Sequence, residues 1–89
     1  MKVEITTANI KNKVIKVDNA ESIASALLDQ YVEKVLIPLK MFALSNTAWT
    51  EIRQAVTDAE ISEASLVELI NCSCKNALYK ITKVTTQVF

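Results

Sequence analysis

Neither glycine nor histidine occurs among the 89 residues of this chain. Glycine is the usual residue at positive φ, in tight hairpins and where backbone closes around phosphate. Its absence argues against phosphate loops, dinucleotide fingerprints and many-turned β folds together. The missing histidine removes the commonest general base and metal ligand. Only two cysteines are present, Cys72 and Cys74. A bridge across a single intervening residue is strained and closes a loop too small to stabilise much. Free thiols in a reducing, cytoplasmic setting are therefore expected. These two also fall short of the four ligands of a closed zinc site, which would form only across a two-fold axis. The ordinary reading of both is small apolar packing in a helix. No cofactor is expected.

Long hydrophobic runs are scarce as well. Met1 and Lys2 lead into alternating residues with no apolar leader segment, and Val35–Leu44 is broken by Lys40 and too short for a bilayer. No membrane partner is expected. The chain is nonetheless 51% hydrophobic, more than a single small domain over 1–89 needs for its core. Tight helix packing or a partner chain would absorb the excess, and a homo-oligomer is the expectation drawn from it.

The formal charge is zero but unevenly spread. Residues 1–17 hold four lysines and one glutamate, a net +3. Residues 18–70 hold nine acids against Lys34, Lys40 and Arg53, a net −6. Residues 71–89 hold Lys75, Lys80 and Lys83 and no acid, a net +3. Such a chain can fold its basic ends over its acidic middle, present separate charged faces, or simply carry a mixed solvated surface.

Val3 and Ile5 alternate with Lys2, Glu4 and Thr6, and Val14, Ile15 and Val17 lie among lysines. This predicts a β-ribbon over 1–17, with Asn9 or Asn12 supplying the left-handed turn position. Asp18 with Glu21 forms a capping-box pattern ahead of a long helix. Its apolar residues Ala20, Ile23, Ala24, Leu27, Tyr31, Val35, Leu39 and Phe42 follow a three-to-four spacing, Leu28, Val32, Leu36 and Ala43 widen the stripe to nearly half the cylinder, and Pro38 is expected to kink or divide it. Ser45-Asn46-Thr47 caps a short helix over 48–56, whose apolar face is Trp49, Ile52 and Val56. A second capping-box pattern at Thr57–Glu60, or Ser62, starts a final helix carrying Leu66, Leu69, Ile70, Ala77, Ile81 and Val84. Thr85, Thr86, Val88 and Phe89 lower helix propensity, so the last residues are expected to fray or run extended.

Residues 66–83 can also be divided as a helix-turn-helix. Asn71 then takes the turn's glycine position and Ser73 caps a second helix over Cys74–Lys83. That helix would offer Lys75, Asn76, Tyr79, Lys80 and Lys83 to DNA. Val67 and Lys80 depart from the motif's small and buried positions, and the neutral charge is unusual for a DNA-binding domain. One long helix with a polar patch at Asn71–Asn76 is the plainer alternative.

Glu51, Asp58, Glu60, Glu63 and Glu68 form an acidic group. It reads either as a solvated face or as a contact surface for a basic partner groove. No carboxylate pair stands beside a nucleophile, and no histidine or glycine-bounded nucleophile turn accompanies the hydroxyls, so catalysis is not expected. Trp49 and Phe42 read as core anchors, with an interface role as the sharper alternative.

The expected architecture is mainly α: an N-terminal β-ribbon, a long kinked helix and two further helices in a small bundle. Self-association is expected through Val35, Leu36, Ile37, Leu39 and Phe42. The expected function is a non-enzymatic protein-binding module, a small regulator or inhibitor of the kind a virus or mobile element encodes. The acidic group would be its partner face. A small DNA-binding regulator using residues 66–83 is the second expectation.

Overall fold

The computed structural model describes residues 1–9 and 14–87. Asn12, one of the two residues expected at the hairpin turn, lies outside this range, as do Val88 and Phe89. Strands β1 (Lys2–Thr7) and β2 (Ile15–Val17) lead into helix α1 (Ile23–Ser25). That helix continues without a break as a π-helical segment, Ala26–Leu36. Helices α2 (Asn46–Thr57) and α3 (Glu63–Ser73), a 3-10 turn (Ala77–Tyr79) and strand β3 (Ile81–Gln87) complete the order.

The expected mainly α bundle is corrected here. The molecule is a mixed α/β domain, 48% helical and 22% strand, with a three-stranded antiparallel sheet in the order β2-β1-β3. The expected final helix ends at Ser73, and its last third is β3, paired along the whole length of β1. Thr82, Val84, Thr85 and Thr86 explain the outcome. Their branched side chains suit a pleated strand better than a helix, and β1 gives them a partner.

Cross-strand registers set the core. Val3 lies opposite Val17 and Thr86, and Ile5 opposite Ile15 and Val84, so one apolar face is shared by three strands. Val3, Ile5 and Thr7 are buried while their neighbours are not, the alternation of a one-sided sheet. A register shift between Thr6 and Thr7 leaves Thr82 as an extra residue on β3, whose hydroxyl donates to the Thr6 carbonyl at 3.2 Å.

Against the sheet's apolar face lies the π-helical segment. Its buried residues are Ala26, Leu27, Leu28, Tyr31, Val32 and Leu36. They recur at four to five residues because the backbone bonds reach five residues back, as from Ile37 N–H to the Val32 carbonyl at 2.9 Å. Of the wide stripe read from the sequence, Leu27, Leu28, Tyr31, Val32, Leu36 and Phe42 are buried, and its other members are half-buried or exposed. Leu36 is sealed in the core, while Val35 is half-buried and Leu39 is 49% exposed. Leu66, Ile70 and Ser73 of α3 and Trp49 of α2 bury their side chains in the interior. Phe42 meets Trp49 edge-to-face, centroids 5.1 Å apart, which makes both aromatics core anchors.

Helix starts rely on serine. Ser22 caps α1 in a reciprocal box with Ser25, displacing the expected Asp18 and Glu21. Ser45 caps α2 and Ser62 caps α3, each accepting from an N–H three residues on. The Thr57–Glu60 pattern caps nothing, because it forms the exit from α2. Two helix ends close through Schellman turns made without glycine. Lys40 and Ala59 take the left-handed position, both at φ 58°. Met41 N–H then reaches the Leu36 carbonyl, and Glu60 N–H that of Ala55, each at 2.9 Å. Pro38 therefore lies in a terminating turn, and the first helix is ended by it. Asn19 is the third left-handed residue, and Asn9 is not one.

Candidate functional site

Folding pairs the two basic ends of the sequence with one another. β1 and β3 share the sheet, so Lys2, Lys16 and Lys83 project with Glu4 and Thr6 from its outer face, away from the helices. The acids of the middle segment are distributed over the helices and their connections. The outer sheet face is thus net basic, while most acids lie on the helices and their connections together with Lys34, Lys40 and Arg53.

The members of the expected acidic face are all exposed: Glu51 on α2, Asp58 and Glu60 in the α2–α3 connection, Glu63 and Glu68 on α3. They do not form one stripe. At about 100° per residue, Glu63 and Glu68 stand about 140° apart around α3. Gln54 donates to Asp58 at 3.1 Å, and none of the five is in an ion pair among the described residues.

Arg53 organises the remaining acids. One guanidinium nitrogen meets Asp29 at 2.8 Å and the other meets Glu33 at 2.9 Å. The two carboxylates are four residues apart on the π-helical segment, so a single α2 side chain ties the two helices together. Arg53 also separates two open grooves. One, of about 630 Å³, runs between the π-helical segment and α2, with Glu33, Ile37, Asn46, Trp49 and Thr50 along it. The other, of about 610 Å³, is bounded by Ser25, Leu28, Asp29, Val56, Ser62 and Glu63. With its guanidinium held by two carboxylates, neither groove offers a free cation from Arg53.

The expected self-association patch is divided by the fold. Leu36 and Phe42 belong to the core, Val35 is half-buried, and Ile37 and Leu39 remain exposed at 37% and 49%. The five-residue hydrogen-bond step is the physical reason: it rotates Leu36 inward and leaves the terminating turn outside.

Neither expected form of residues 66–83 is found. No second helix follows α3: Asn76 caps a single 3-10 turn, and the chain then becomes β3. Lys75 and Lys80 are exposed in the connection, Lys83 lies on the sheet, and Tyr79 is half-buried. These residues do not share a helical face. Asn71, read as a turn residue, lies within α3 and takes a different role. Its side chain makes two hydrogen bonds to the backbone of Ile81 and fixes the start of β3.

Tyr31 is the buried polar group that the sequence pattern hid, because its ring fills an apolar position. It has no exposed surface, and its hydroxyl donates to the Tyr79 carbonyl. Burial, then the nearby Cys74 thiol and Tyr79 phenol, hold its ionisation well above the usual tyrosine range. Cys74 is buried and its thiol donates to the Asn76 carbonyl at 3.2 Å, while Cys72 is exposed and both are free. Among the described residues no group of three or more acids or cysteines is arranged to hold a metal ion. No helix of the described residues is long and apolar enough to cross a membrane. No family model, curated protein or solved structure matches the chain, so its function has to be argued from these residues alone.

Proposed function

We propose that this protein is a non-enzymatic protein-binding module, a small regulator or inhibitor whose acidic helical surface engages a basic partner. The observation that carries the reading is the group Glu51, Asp58, Glu60, Glu63 and Glu68, exposed and without ion-pair partners among the described residues. Unneutralised charge of one sign raises encounter rates with an oppositely charged surface and selects against other partners. Composition supports a non-catalytic role, since the chain has no histidine and no activated nucleophile arrangement. Two free thiols fit a cytoplasmic setting. A virus- or mobile-element-encoded inhibitor would have this profile.

Affinity capture from the source cell, with wild type and with Glu60→Lys/Glu63→Lys, tests the reading. The double variant is expected to lose the captured partner while circular dichroism stays unchanged. Full retention of the partner by the folded variant rejects the acidic surface as the contact.

A further inference from the structure

We propose that the outer face of the β-sheet docks onto the acidic helical side of a second copy of this chain. The docking face is set by register: Lys2, Glu4 and Thr6 of β1, Lys16 of β2, and Lys83 and Thr85 of β3. Three lysines against one glutamate give it a net +2. None of these lysines is in an ion pair among the described residues, where the salt bridges are those of Arg53 to Asp29 and Glu33. Within the described strands the residues of this face are all polar or charged, which makes charge its means of recognition.

The complementary surface is on the same molecule. Residues 18–70 carry nine acids against three cations, and Arg53 occupies only two of the nine. Within one chain the two surfaces cannot meet, because the buried face of the sheet and the core lie between them. Between copies they can, head to tail. The contact is heterologous, with different surfaces meeting, and a bound pair still offers one free face of each kind, one on each copy.

A nucleic acid is the less favoured occupant. Three lysines would neutralise about three phosphates, a salt slope of only about −2.7. Glu4 sits among them and opposes a polyanion, and among the described residues of the face none is aromatic, so none can stack a base. The helical side of a second copy carries Lys34 and Lys40 among its acids, which Glu4 can face.

This inference shares the acidic surface with the proposed partner contact, but its readout uses the purified chain alone, so either can fail without the other. Sedimentation velocity is run at about 10 mM and about 1 M salt, where the screening length falls from about 30 Å to about 3 Å. The longer value matches the molecule's 33 × 28 × 20 Å extents. The apparent association constant is expected to fall by about tenfold or more across that range. Lys2→Gln/Lys83→Gln and Glu60→Gln/Glu63→Gln/Glu68→Gln are each expected to sediment as monomers at low salt. Mixed, they retain one intact contact between them and are expected to stop at twice the monomer mass. A wild-type monomer at all concentrations in low salt overturns the proposal, as does a mixture that stays monomeric. Association that persists at high salt and is lost in Leu39→Ser moves the contact to the exposed Ile37–Leu39 turn and also overturns it. Binding of a short single-stranded DNA that depends on Lys2 and Lys83, without self-association, assigns the face to nucleic acid instead.

Discussion

The side-chain amide of Asn71 takes both backbone hydrogen bonds of Ile81. Its Nδ2 donates to the Ile81 carbonyl at 3.0 Å, and its Oδ1 accepts from the Ile81 N–H at 2.8 Å. The pair does what a neighbouring strand would do for a residue whose other neighbour is a helix. Asn71→Ala leaves both groups of a buried residue unsatisfied and is expected to cost about 2 kcal/mol. Asn71→Asp keeps the acceptor but sets a carboxylate against the Ile81 carbonyl, so at neutral pH it should be no more stable than the alanine variant. Urea unfolding of the three proteins decides this; an alanine variant within 0.5 kcal/mol or so of wild type would remove the latch from the account of β3.

Tyr31 predicts an alkaline signature. Its ionisation is held above the ordinary value of 10.0 in the folded state, chiefly by burial. A folded-state pKa above the unfolded one means the native state retains a proton that the unfolded state releases. The corresponding stability is intact below about pH 10 and declines above it, by up to about 1.4 kcal/mol per pH unit. Tyr31→Phe removes the dependence and the hydrogen bond to Tyr79, costing about 1 kcal/mol at neutral pH. The stability gap between the two proteins should narrow between about pH 10 and pH 11. A gap that is constant with pH would contradict the buried, protonated phenol.

Lys40 and Ala59 occupy left-handed positions where a β-carbon crowds the following carbonyl, at roughly 1–2 kcal/mol each. Glycine removes the clash but loosens the unfolded chain, so Ala59→Gly should stabilise the protein by up to about 1 kcal/mol. For a domain of this size that raises the melting temperature by about 4–8 °C. Calorimetry showing a lowered melting temperature would exclude the Schellman geometry at the end of α2.

Leu36 and Leu39 give a direct test of the helix's unusual step. Leu36 has no exposed surface and Leu39 is 49% exposed. Leu36→Ala should cost about 2–5 kcal/mol, whereas Leu39→Ala should lie within about 0.5 kcal/mol of wild type. Regular α-helical winding through this segment would move Leu36 relative to the core and narrow the difference.

Much of the local structure was legible. The alternation at Val3 and Ile5, the serines before the second and third helices, and the aromatic pair Phe42 and Trp49 each carry their signal within a few residues. What the sequence concealed was decided at long range or by winding. Ile81 and Val84 continue the spacing of Leu66 and Ile70 as if on one helix, and only the pairing with β1 makes them strand. No residue in Ala26–Leu36 announces a five-residue hydrogen-bond step, and we find no side chain that explains it. The acidic middle was visible as composition, but the gathering of Lys2, Lys16 and Lys83 on one sheet face needed the two basic segments to pair. Arg53 is one of three cations in the acidic middle of the sequence, and its two partners became apparent only once the helices were packed together.

That pairing of the two basic segments governs how the chain can be made. β1 is the central strand, yet one of its two neighbours is β3, whose Thr82 hydroxyl finds a Thr6 carbonyl 76 residues earlier. A ribosome therefore releases the middle strand long before β3, its second neighbour in the sheet. Until then Val3 and Ile5 have β2 on one flank and an open edge on the other, a template for unwanted pairing. Released chains truncated before Ile81 should hold helices without a closed core and be degraded readily, while chains that include Ile81–Gln87 should be resistant. Protease digestion of released chains of increasing length would locate that step.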